Sequence, residues 1–204
     1  MAAEHKIAWP VMEHFYTIQG EGANTGKPAY FIRLGGCDVG CVWCDVKESW
    51  DANKHPLTDL KTMLRWIKAS KAQNVVITGG EPMMYDLTAL TTALKSEGLQ
   101  LWLETSGAYP ISGVWDWICV SPKKFKQPIL QALQQAHELK VVVYNKSDFD
   151  WALQHQKSTS PHCILFLQAE YSRLQQMMPQ IVDFVKQHQQ WRISLQTHKV
   201  IEVP

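Results

Sequence analysis

The chain has 204 residues, 46% hydrophobic and 19% charged, with a formal net charge of +1, enough for one domain over residues 1–204 with a real core. The near-neutral balance excludes a strong field toward nucleic acid or an anionic membrane, and no apolar run reaches membrane-spanning length. Met1 to Trp9 lacks the apolar stretch of a secretory signal, so the expected location is the cytoplasm, where the five cysteines stay reduced instead of forming a disulfide framework.

Short apolar runs predict strands over Ala29–Arg33, Val75–Thr78, Leu101–Thr105, Trp117–Val120, Lys140–Tyr144, Cys163–Gln168 and Arg192–Leu195. Their Val, Ile, Leu and aromatic content suits strands buried on both faces. Amphipathic stretches lie between them. Leu57, Leu60, Leu64 and Ile67 share one helical face, as do Leu87, Leu90 and Leu94 before the stop at Gly98. Pro128 opens a helix carrying Leu130, Leu133 and His137; Ile181, Val182 and Val185 mark a last one, with Pro179 near its start. The alternation predicts a mainly parallel α/β sheet. From Thr105 to Trp117 there is no room for a crossover helix, so the architecture is trimmed. Asp45–Pro56 reads as a loop, and most of the nine tryptophans as packing.

Loops after the strands of such a sheet build its site. There stand Cys37, Gly79-Gly80-Glu81-Pro82, Ser106-Gly107, Ser121-Pro122-Lys123, Gln168 and Gln196-Thr197-His198. Cys37, Cys41 and Cys44, spaced C-x3-C-x2-C, can hold three corners of a cubane iron–sulfur cluster and leave one iron open for chemistry. A structural zinc site would need a fourth ligand such as His55, and would leave the glycine-rich block unexplained. Cys119 and Cys163 sit in apolar strands and read as inert core.

The C-x3-C-x2-C spacing with Trp43, followed by G-G-E-P at residues 79–82, resembles radical S-adenosylmethionine (SAM) enzymes. That resemblance implies a partial (β/α) barrel with a reduced helix count, a [4Fe-4S] cluster and SAM as cofactors, with Cys37, Cys41 and Cys44 as cluster ligands. Reduction of the cluster would split the cofactor and give a 5′-deoxyadenosyl radical. Glu81 and nearby carbonyls would accept from the cofactor ammonium. Further cofactor contacts would come from Trp43, Cys44, Asp45, Gly79, Gly80, Gly107, Ser121, Pro122, Lys123, Gln168 and Tyr171. Gln168-Ala169-Glu170-Tyr171 departs from the Gln-Pro common in relatives.

Several further blocks narrow the resemblance. They are F-x-T-x-Q-G-E-G at Phe15–Gly22, F-I-R-L-x-G-C, C-x-W-C-D, E-T-S-G at Glu104–Gly107, S-P-K, and Q-T-H-K at Gln196–Lys199. Together they are similar to the 7-carboxy-7-deazaguanine synthases, lyases of queuosine and deazapurine biosynthesis. This implies 6-carboxy-5,6,7,8-tetrahydropterin as substrate, hydrogen abstraction at C6, ring contraction and loss of ammonia. Glu21 would accept the pterin's paired N–H donors, and Ile18, Gln19 and Gly20 would add amide contacts. Arg33 would meet the substrate carboxylate; Thr105, His198 and the carboxylate of Pro204 would complete the pocket. An electron donor such as flavodoxin and a homodimer are implied as partners. Relatives hold magnesium through a Thr or Ser where this chain has Val46. That leaves no metal, a weak one, or one bound through Asp45, backbone carbonyl, water and substrate, with Lys47 as a substitute cation. The alternatives are an activase that installs a glycyl radical on a partner protein, and a non-enzymatic zinc or iron–sulfur module.

Overall fold

A computed structural model describes residues 7–204, so most of the Met1–Trp9 segment lies outside the described residues. One nine-stranded sheet runs in the order β3-β1-β2-β4-β5-β6-β7-β8-β9. Its strands are β1 (Ala8–Ile18), β2 (Pro28–Leu34), β3 (Leu57–Asp59), β4 (Asn74–Gly79), β5 (Gln100–Thr105), β6 (Trp117–Val120), β7 (Glu138–Val143), β8 (Ile164–Ala169) and β9 (Trp191–Ile193). From β2 to β9 all pairings are parallel; β1 runs antiparallel to both β2 and β3. The sheet does not close, so this is a partial barrel. The helices are α1 (Leu60–Ser70), α2 (Thr88–Ser96), α3 (Leu130–Gln135), α4 (Ser147–Gln156), α5 (Leu174–Gln187) and α6 (Thr197–Val200), with none between β5 and β6.

The seven expected strands are present within two residues at each end. The expectation that both faces are apolar needs correction. Ile32, Leu34, Val75, Ile77, Leu101, Leu103, Leu139, Val141 and Leu167 alternate onto one face and form the main core with the helices. The other face starts apolar, with Ala29, Val76 and Trp102 packed on Phe31 and Trp117. Higher up it carries buried Glu138, Lys140 and Gln168.

Other departures have local causes. In β1 the register slips between Val11 and Glu13, which breaks the period-two signal. Leu57 is 74% exposed because it belongs to edge strand β3; Asp59 then caps α1 by accepting from Thr62 N at 2.8 Å. The third helix starts at Leu130, two residues after Pro128, and ends before His137. That ring instead stacks on Trp117. Pro179 lies inside α5, not near its start. Helix α4 buries Asp148, Trp151, Ala152 and His155, so two polar residues interrupt its apolar stripe. Asp148 stays satisfied by accepting from Tyr144 N and Asn145 N, both at 2.8 Å. No helix among the described residues is long and apolar enough to cross a membrane.

The loop after β1 spans the open side of the barrel. Gly22 N donates to Ser194 Oγ (2.9 Å), Ala23 N to Glu138 Oε2 (3.0 Å), and Thr197 N to Gly20 O (2.9 Å). These bonds tie the first strands to the last ones. A Cβ on Gly22, which has φ +64°, would fall 1.9 Å from Glu138 Oε1.

Candidate active site

The carboxyl ends of the parallel strands surround a cavity of about 320 Å³. The thiols of Cys37, Cys41 and Cys44 line it from the loop after β2. Gly36 enters that loop at φ +99°. Gly36 N and Cys37 N are bonded to Ser49 O and Trp50 O, and Cys44 N closes a turn on Cys41 O at 3.1 Å. Burial pushes the Cys41 thiol up to about 11 and raises Cys37 as well. Such thiols become thiolates only by bonding a metal.

The donor set fits a cluster better than a single ion. Among the described residues, no three His, Cys, Asp or Glu side chains gather as a one-metal site would require. A cluster instead spreads its thiolates over separate irons. His55, the zinc reading's fourth ligand, has Nε2 2.9 Å from Glu48 O. Its ring packs on Gly35, where a Cβ would meet it at 2.2 Å. Behind the thiols, a Cβ on Gly80 would sit 2.3 Å from Gly36 O and 2.8 Å from Cys37 Cβ. Gly80→Ala is therefore expected to displace the cysteine loop and cut iron incorporation by at least about tenfold, measured as iron per chain after anaerobic reconstitution.

Glu81 does not face the cavity. Its carboxylate is 1% exposed and takes four donors: Met83 N (3.0 Å), Thr105 Oγ1 (2.5 Å), Ser106 N (2.8 Å) and Ser106 Oγ (2.5 Å). With four acceptances its lone pairs are filled, and it braces the loops after β4 and β5. Glu81→Ala is expected to lower stability by about 3–5 kcal/mol, read by denaturant unfolding.

The polar interior face forms the cavity floor. Lys140 Nζ, 3% exposed as a residue, lies 2.7 Å from Glu21 Oε2 and 3.0 Å from Glu104 Oε2. Gln196 Nε2 donates to Glu21 Oε1 at 2.8 Å. Gln19 is also buried; its Nε2 donates to Glu104 Oε1 (3.3 Å) and its Oε1 accepts from Glu21 N (3.2 Å). Burial alone would raise the Glu21 carboxyl; Lys140, Gln196 and His198 outweigh it and hold it at about 2. Burial lowers His198 despite the neighbouring Glu21 carboxylate. Its ring lies against Gly20, where a Cβ would fall 2.2 Å from Nδ1.

Of the residues expected from sequence, Ile18, Gln19, Gly20, Glu21, Arg33, Thr105, His198 and Pro204 line the cavity. So do the three cysteines, Trp43, Asp45, Val46, Gly79, Gly80, Ser121, Lys123, Gln168 and Tyr171. Glu81, Gly107, Pro122 and Lys47 do not. Gly107 turns the chain at φ +75°, and Lys47 Nζ sits over the Trp50 ring at 6.0 Å. Arg33 Nε donates to Glu13 at 2.6 Å. Thr105 gives its hydroxyl hydrogen to Glu81 and accepts from Gly107 N. Lys123 Nζ bonds Ser121 O and Oγ and lies 5.7 Å from the Trp43 ring. Gln168 accepts from Ser194 Oγ at 2.7 Å. Sequence reasoning gave no role to Lys140, which read as one more strand residue, or to Trp50 and Lys199. The available signal was a lysine inside the run Leu139–Val143.

The profile of the Radical SAM superfamily matches residues 31–118. The 7-carboxy-7-deazaguanine synthase of Flavobacterium psychrophilum is 54% identical over 205 aligned residues, covering 100% of this chain and 97% of that one. The enzyme of the same name from Synechocystis is 47% identical, covering 97% and 94%. The crystal structure of QueE from Escherichia coli superposes with a TM-score of 0.84 at 31% identity, covering 93% of this chain and 94% of that chain.

Proposed function

The chain belongs to the 7-carboxy-7-deazaguanine synthase family of radical SAM enzymes, and from that premise we propose that it converts 6-carboxy-5,6,7,8-tetrahydropterin to 7-carboxy-7-deazaguanine and ammonia. It is a radical SAM enzyme of 7-deazapurine biosynthesis, with a [4Fe-4S] cluster and SAM as its cofactors. The carrying observation is that the cysteine loop and the ionised Glu21 face one cavity from different strand ends. In the proposed reaction ammonia is the only co-product, so substrate and products balance without a net oxidant. When bound, the cluster and cofactor supply a carbon-centred radical that takes and later returns a hydrogen atom.

This chain's residues do the positioning. A carboxylate has about four acceptor sites, so Glu21 can keep Lys140 and Gln196 and still accept the amide and amino donors of a pterin edge. Ile18, Gln19, Gly20, Thr105, His198 and Pro204 surround that ligand. At the other end of the ligand, Arg33 offers its remaining guanidinium nitrogens to the substrate carboxylate while Glu13 steadies Nε. Trp43, Cys44, Asp45, the Gly79-Gly80 backbone, Ser121, Lys123, Gln168 and Tyr171 are assigned to the cofactor. Gly107 and Pro122 are assigned to shaping the loops behind it.

Magnesium is not assigned to a side chain at position 46. The Val46 carbonyl is itself taken by Ser49 N and Oγ, and Lys47 points to Trp50. Turnover is expected to change less than about twofold when magnesium is chelated; a steep requirement would show that other groups hold the ion. The reading places the enzyme in the cytoplasm as a homodimer reduced by a flavodoxin-like donor, with no nucleic-acid or membrane partner. A charged cavity of about 320 Å³ suits a small heterocycle better than the polypeptide that a glycyl-radical activase must admit.

The test is anaerobic turnover of reconstituted protein with cofactor, reductant and carboxytetrahydropterin, followed by mass spectrometry. Appearance of the carboxydeazaguanine mass with loss of one nitrogen is expected. Cofactor cleavage without conversion of the pterin would overturn the substrate.

A further inference from the structure

The floor of the cavity contains a closed hydrogen-bonded ring of four residues. Lys140 Nζ bridges Glu21 Oε2 and Glu104 Oε2, Gln19 Nε2 returns to Glu104 Oε1, and Gln19 Oε1 accepts the Glu21 backbone N–H. One ammonium thus stands between two carboxylates. The next acid along β7, Glu138, is committed elsewhere, accepting from Ala23 N, Trp117 Nε1 and Cys119 Sγ. Lys140 is 3% exposed and comes from a different strand than either carboxylate. Its charge is not solvated, so its worth lies in what it does to those two groups.

We propose that Lys140 is a specificity-determining positioning residue: it fixes Glu21 as a pure hydrogen-bond acceptor, so that the site takes heterocycles presenting a 2-amino donor and rejects those presenting a 2-oxo acceptor. This rests on the pterin reading above. The physical reason is the state of a buried carboxyl. With the ammonium alongside, both Glu21 oxygens accept. Without it, burial favours the protonated form, which donates and therefore tolerates an oxo group. The ionisable groups acting on Glu21 are Lys140 from β7, His198 from the C-terminal segment and Lys123 from the loop after β6, while Glu104 and Glu138 act on Lys140. Of these, only Lys140 donates to Glu21. A site built to bond a substrate NH discriminates strongly because its own groups are left unpaired by the wrong ligand.

The test compares binding of 6-carboxypterin and its 2-oxo analogue, 6-carboxylumazine, to anaerobic holoenzyme by calorimetry. Wild type is expected to prefer the amino compound by at least about 100-fold, and Lys140→Met by less than about tenfold. Lys140→Arg should restore most of the preference, with SAM affinity and cluster absorption unchanged in both. Should Lys140→Met not fold, Lys140→Met with Glu104→Gln removes one charge of each sign and is expected to show the same lost preference. A Lys140→Met protein with full wild-type preference overturns the proposal. So does one that loses amino and oxo affinity in equal proportion, which is a structural effect. Wild type that binds neither compound overturns the substrate reading instead, and this assignment falls with it.

Discussion

A Cys41→Ala variant is expected to purify without its cluster and to lose more than about a thousandfold of its turnover. Cys37, Cys41 and Cys44 are the only cysteines among the described residues that line the cavity, and no fourth thiol can substitute. Cys119 and Cys163 sit on β6 and just before β8. Cys41 is 7% exposed, and its thiol is held protonated by burial until a metal takes the proton's place. With Cys41 gone, Cys37 and Cys44 alone would be too few thiolates to hold the cluster that supplies the radical chemistry. The alanine keeps the packing of a small buried residue, so the melting temperature of the metal-free protein should barely move. Iron analysis, visible absorption and product formation should fall together. A variant that keeps wild-type turnover would remove the whole mechanism.

Glu21→Ala is expected to weaken substrate binding by about 100- to 1000-fold while sparing cluster assembly and uncoupled cofactor cleavage. The carboxylate meets Lys140 and Gln196 on one side and the cavity on the other, whereas the cysteine loop depends on other contacts. Equal losses in cofactor cleavage and substrate binding would argue that Glu21 merely holds the fold. The same residue predicts a pH dependence. Its folded pKa of about 2 lies below the ordinary 4.5. The stability it contributes is therefore complete above about pH 4.5, and is lost as pH falls from there toward 2. That loss amounts to at most about 3–4 kcal/mol. In Glu21→Gln, denaturant unfolding between pH 5 and 2.5 should show a shallower fall than wild type. An unchanged slope would mean the carboxylate is not held ionised by Lys140.

Strand positions were legible because Val75–Thr78, Leu101–Thr105 and Trp117–Val120 carry one strong apolar face under the helices. Strand β1 and helix α4 were not, because a bulge after Val11 and the buried Asp148 and His155 break their periods. The site was legible where chemistry demands a rare residue at fixed spacing. The three cysteines, the paired glycines and the Gln19-Gly20-Glu21 turn are of that kind. At Glu81 the sequence suggested only a ligand contact; that the folded chain also spends its four acceptor positions on Thr105, Ser106 and Met83 was not legible.

By itself, then, the order of residues determined the close spacing of the three cysteines, the parallel sheet and the shared polarity of the loops, since each follows from pattern and spacing along the chain. Only the tertiary structure decided which carboxylate faces the cavity, that the His55 ring is bonded to Glu48 O, and that Lys140 joins Glu21 to Glu104 across 119 and 36 residues of sequence. Those outcomes depend on which side chains the curvature of an open barrel brings within 3 Å of one another. No periodicity along a single strand records that distance.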